Sequence, residues 1–170
     1  MGFDPQNYGD TVASILHLEG AGQRPMPLAT NGGGSVRVRD LIRDAGARGL
    51  LPRVALAGLY LYFDCWQEAH ETAQDIATRE GSYWHAIVHR MEPDAFNSGY
   101  WFRRVGEHAI FPALRDAAAG IGIDLGPRWK PEAFVDLCEC AREDPGSELE
   151  RQAREVQLVE WQLLFDYCAR

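Results

Sequence analysis

The chain has 170 residues, 46% of them apolar, and a formal net charge of −8 at pH 7 with a pI near 5.1. That length is one ordinary domain with enough apolar material for a core, and the composition excludes a disordered chain. The acidic balance argues against general nucleic-acid binding by phosphate neutralisation, although it leaves room for a local basic pocket.

The N-terminus, M-G-F-D-P-Q-N-Y, has no basic region followed by an apolar core, so no secretory leader is expected. The first fifty residues are rich in turn formers: Pro25, Pro27 and the run Asn31 to Gly34. One short helix is predicted at about Asp10 to Leu18, with Asp10 as cap and Val12, Ile15 and Leu16 on one face. The N-G-G-G run lacks the Lys-Ser or Lys-Thr of a phosphate loop and reads as a flexible connector. Val36 to Ala45 predicts a second short helix, closed by Gly46.

From Pro52 the pattern predicts one long helix to about Arg79. Its first half, V-A-L-A-G-L-Y-L-Y-F, is apolar on every side, as in a central buried helix. Its second half carries an acidic stripe of Asp64, Glu68, Glu71 and Asp75. Asp64 interrupts the apolar run well short of the roughly 20 residues of a membrane span, so no membrane partner is expected.

Gly81 breaks the chain and Ser82 caps a helix over Tyr83 to Met91, with Trp84, Ile87, Val88 and Met91 on the core face. Asn97 or Ser98 caps the next helix, which carries Tyr100, Trp101, Phe102 and Val105 and stops at Gly106. Pro112 opens a helix to about Ala119, and Pro131 opens another with Phe134, Leu137, Cys138 and Ala141 on one face. Ser147 and Glu150 form a capping box for a last helix to about Cys168. That helix is expected to bury Val156, Val159, Leu163, Leu164 and Tyr167.

No segment alternates with period two. The expectation is therefore all-α: a single-domain irregular helical bundle around one long central helix. Residues 52–170 form the helical core and 1–50 a loop-rich N-terminal region.

The four cysteines form no CxxC pair and read as reduced thiols of a cytoplasmic protein. The chemically able residues crowd into Tyr83 to His108. His85 and His89 stand one helical turn apart on a face of their own, the spacing that lets two imidazoles reach one divalent metal ion. His70, on the border between the apolar and polar faces of the long helix, is the best third ligand; His108, Glu68, Glu71 and Asp94 are alternatives. The competing readings are a half-buried hydrogen-bonded network or a solvated face. No HExxH and no second Glu-x-x-His is present, which argues against a zincin or a di-iron bundle.

Arg90, Arg103 and Arg104 suit a phosphate or carboxylate, or else salt bridges to the acidic stripe. With Trp84, Trp101 and His108 they make a candidate pocket for a small anionic ligand, unless the aromatics are core. Two readings of function follow. One is a metal-dependent enzyme acting on a small anionic substrate; the other is a non-catalytic small-ligand-binding or protein-interaction domain without metal. A homodimer through the outer apolar residues of the last helix, Trp161 and Phe165, is a further expectation.

The stretches Y-W-H-A-I-V-H-R-M-E-P-D-A-F-N-S-G-Y-W-F-R-R-V-G-E-H (Tyr83 to His108), E-A-F-V-D-L-C-E (Glu132 to Glu139), E-W-Q-L-L-F-D-Y-C (Glu160 to Cys168) and W-Q-E-A-H-E-T-A-Q-D-I (Trp66 to Ile76) resemble a family of small uncharacterised bacterial and fungal proteins. The resemblance covers most of the chain after Leu50. It implies a cytoplasmic stand-alone domain and carries over no activity and no catalytic residue. In architecture the chain is also similar to helical metal proteins of the damage-inducible bundle type, which use three histidines. Their HxxxH pair lies near the C-terminus, whereas this one is central.

Overall fold

The computed structural model describes residues 2–170, and these form nine α-helices, two 3₁₀ turns (Pro5–Tyr8 and Gly20–Gly22) and no strand. The helices are α1 (Asp10–His17), α2 (Val36–Ala47), α3 (Arg53–Tyr62), α4 (Trp66–Gln74), α5 (Arg79–Met91), α6 (Ala95–Val105), α7 (Phe111–Ile121), α8 (Pro131–Arg142) and α9 (Glu148–Ala169). The all-helical expectation holds. None of the described helices is long and apolar enough to cross a membrane.

The long helix from Pro52 does not form. It divides into α3 and α4 at Asp64, whose φ is +55°. An L-residue is uncommon there, and Asp is one of the few that tolerate it. The cause lies thirty residues upstream. The Asp64 carboxylate accepts hydrogen bonds from the Thr30 hydroxyl at 2.5 Å, the Asn31 N–H at 3.3 Å and the Gly33 N–H at 3.1 Å. The N-G-G-G run is therefore a clamp around one carboxylate rather than a free connector. Gly34 sits where a Cβ would stand 2.9 Å from the Cys65 backbone, so only glycine permits this approach.

Two helix starts also differ from expectation. Thr78, not Ser82, caps α5: its hydroxyl oxygen accepts from the Gly81 N–H, and Gly81 lies inside the first turn. Asp94 caps α6 by accepting from the Asn97 N–H. Pro131 and Ser147 open α8 and α9 as the sequence predicts.

The central helix is α5. Every residue from Gly81 to Met91 is buried, under cover from α3, α4 and α6. Gly58 of α3 makes the closest approach to it, because a Cβ there would meet the Trp84 ring at 2.5 Å. The Gly58 carbonyl in turn accepts from the Trp161 indole N–H at 2.7 Å. The longest helix, α9, packs on α3, α7 and α8, and its buried face is rotated from the predicted one. Trp161 and Phe165 are fully buried while Tyr167 is 47% exposed. The two residues expected to form a dimer surface are thus core, in a stack with ring centroids 5.0 Å apart.

Candidate metal centre

The α4–α5 crossing brings three imidazoles together. Ala69 and Ala73 of α4 are buried at this contact, and such small side chains let the two helices approach. His70, in the same turn as Ala69, faces His85 and His89 edge-on, with ring centroids 4.7 and 5.4 Å away. The α5 pair is stacked at 4.8 Å with an interplanar angle of 25°. One nitrogen from each of the three rings lies within 4.8 Å of the others. The Nε2 atoms of His85 and His89 face each other at 3.2 Å. Two nitrogens bound at about 2.0–2.1 Å to a zinc-sized ion at a tetrahedral angle stand about 3.3 Å apart.

The electronic state matches that geometry. Burial beneath α4 and α6, together with the neighbouring His89 and His70, pushes the His85 pKa down to about 3. Burial and His89 likewise lower that of His70. Both rings are therefore neutral at pH 7, with a lone pair free for an ion. His89 is oriented from behind by Glu92, whose Oε2 lies 3.0 Å from Nδ1. In the tautomer in which Nδ1–H donates to that carboxylate, the His89 lone pair is on Nε2, facing His85. Glu92 and Asp94 also group with His89, but at its other edge. His85 Nδ1 is buried without a hydrogen-bond partner.

Two indoles flank the cluster. Trp66 stacks on His70 at 5.2 Å and anchors itself by donating to the Val88 carbonyl at 3.0 Å. Trp101 of α6 covers His85 at 4.1 Å, and the Arg104 guanidinium lies over Trp101 at 5.1 Å. His85 and His89 are 2% and 9% exposed, whereas His70 is only half-buried, so solvent reaches the cluster from the α4 side.

The other residues predicted to line a pocket are dispersed. Trp84 is core, packed against Gly58. Arg90, fully buried, donates to Glu160 at 2.5 Å and to Gln157 at 3.3 Å and lies over the Phe134 ring. Tyr83 donates to the same Glu160 carboxylate at 3.0 Å. The acidic stripe takes different arginines: Glu68 pairs with Arg39 and Asp75 with Arg53. His108 packs edge-on against Tyr83 and Tyr167 and stands 3.7 Å from Glu80. Arg103 is exposed in a shallow depression beside Trp129 and Lys130, on another side of α6.

Of the six predicted ligand-binding residues, only Trp101 and Arg104 therefore adjoin the histidines, while all three predicted metal ligands converge. Glu92 was missed, and its position one turn after His89 was the available signal. No family model, curated protein or solved structure matches the chain.

Proposed function

We propose that this chain is a metal-dependent enzyme that holds one divalent transition-metal ion on His70, His85 and His89 and hydrolyses a small anionic substrate. One observation carries the reading: three imidazoles from two helices converge on one point, two of them at the nitrogen separation a tetrahedral ion imposes. Three imidazoles suit zinc and its neighbours rather than calcium or magnesium. Three protein ligands leave a coordination position for water or substrate, the arrangement of hydrolytic rather than structural zinc sites.

A bound ion would supply Lewis acidity and make a bound water acidic near neutral pH. In the hydrolysis, the water oxygen bonds to a carbonyl or phosphoryl centre, the bond to the leaving group breaks, and the proton lost from water passes to the leaving group. The chain's own contributions are orientation and exclusion. Glu92 fixes the His89 tautomer, and Trp66 and Trp101 shield two imidazole faces from water.

Isothermal titration of tag-free, metal-stripped protein with zinc tests the reading. One equivalent should bind, and His85→Ala and His89→Ala should each weaken binding at least 100-fold. Equal affinity in wild type and variants would remove the metal centre. Tight, specific binding without turnover of any ester, amide or phosphoester would leave a metal-binding domain in place of an enzyme.

A further inference from the structure

A shallow, wide-open cleft of about 340 Å³ lies between the start of α5 and the end of α6, lined by Ala77, Thr78, Arg79, Ser82 and Arg104. Its Ser82 shares a face of α5 with His85 and His89. Ser82 precedes His85 by three residues, so their side chains share that face about 4.5 Å apart along the axis. On α6, Arg104 follows Trp101 by three residues and reaches back over its ring. The ring separation of 4.1 Å and the cation–ring distance of 5.1 Å put the guanidinium within about 9 Å of the His85 ring, where its charge acts on an anion held at the metal.

The walls are built for an oxyanion. Acidic residues outnumber basic ones by 25 to 17 in the chain, yet two guanidiniums face this cleft. Arg79 gives one nitrogen, Nη1, to the Glu107 carbonyl at 3.1 Å and keeps the rest of its fork. Ser82 is only 6% exposed and lines the cleft. The nearest carboxylate on α5, Glu80, stands 3.7 Å from His108. The N-terminus of the thirteen-residue α5 adds the positive end of its dipole, its Gly81 and Ser82 amides being taken by Thr78.

We infer that this cleft is the anion subsite of the metal centre. It takes a terminal phosphate or carboxylate on Arg79, Arg104 and Ser82 while the reacting bond lies at the histidines. The inference rests on the metal-centre reading and deepens it. The substrate is a compact molecule whose anionic terminus stands a few bonds from the group that is hydrolysed. A substrate with its only charge at the reacting atom leaves the arginines unused.

Calorimetry with phosphonoacetate, a short probe with an anionic group at each end, separates the two claims. Zinc-loaded wild type should bind it, and Arg79→Gln/Arg104→Gln should weaken binding at least tenfold with zinc stoichiometry unchanged. Arg104→Lys should retain an intermediate affinity, as a charge without the fork does. Unchanged phosphonoacetate affinity in the double variant overturns the subsite while sparing the metal centre. If wild type takes up no zinc, the metal centre fails by itself. Inorganic phosphate binding that the double variant loses then upholds the cleft as an anion site, and no phosphate binding overturns it.

Discussion

His85 is the most deeply buried of the three candidate ligands, and its burial gives it a measurable signature. Its folded pKa of about 3 lies far below the ordinary 6.5. Below pH 6.5 the unfolded chain binds a proton at this position and the folded chain does not, so stability is lost as pH falls from about 6.5 toward 3. In metal-free protein, His85→Gln removes that contribution. The stability difference between pH 7 and pH 4.5, from urea unfolding, should shrink by on the order of 2 kcal/mol. An unchanged difference would mean that His85 is not held neutral by its surroundings.

Arg90 shows the opposite situation, a buried charge with an internal partner. Arg90→Ala strands the Glu160 carboxylate and should cost about 3–5 kcal/mol, whereas Arg90→Met/Glu160→Met should recover most of it. A double variant as unstable as the single one would assign the loss to packing. The histidine pair was legible in the sequence because an i, i+4 spacing is local and needs only the helix. The fate of Arg90 was not, because its partners are 67 and 70 residues away and guanidinium chemistry is the same for a core ion pair and for a ligand site.

At the scale of elements, the break at Asp64 decides where His70 goes. One continuous helix would carry His70 onward along the axis of α3; the break lets α4 turn and lay it across α5. Asp64→Ala removes an acceptor of three hydrogen bonds and leaves an alanine at positive φ, so it should destabilise the fold by roughly 2–3 kcal/mol. It should also weaken metal binding, although residue 64 touches none of the histidines. Asp64→Gly relieves the backbone but not the lost bonds and should fall between. The pattern of residues 52–79 hides the break because helical periodicity continues through it, and the N-G-G-G clamp lies distant in sequence. The starts of α8 and α9 were legible for the converse reason: proline at a first turn and a capping box act within three residues.

At the scale of the molecule, one helix buried on all sides serves two purposes. The core faces of α5 carry Tyr83, Trp84, Ile87 and Val88, and the Arg90–Glu160 pair ties its end to α9. Its remaining face, under α4 and α6, carries Ser82, His85 and His89 toward the cleft and the candidate centre. Helices on every side hold that face rigid, as a site requires if it is to bind an ion without rearranging. Ion binding to the folded chain alone should therefore raise its stability by about 4 kcal/mol at a thousandfold excess over Kd.

The most direct test is a cobalt(II) titration of the metal-stripped protein followed by visible absorption, on wild type and on His70→Ala, His85→Ala and His89→Ala. One equivalent should develop the ligand-field bands of a four- or five-coordinate nitrogen-ligated ion in the wild type, and each substitution should abolish or strongly shift them. Bands that survive removal of all three histidines, or a wild type that develops none, would contradict the account.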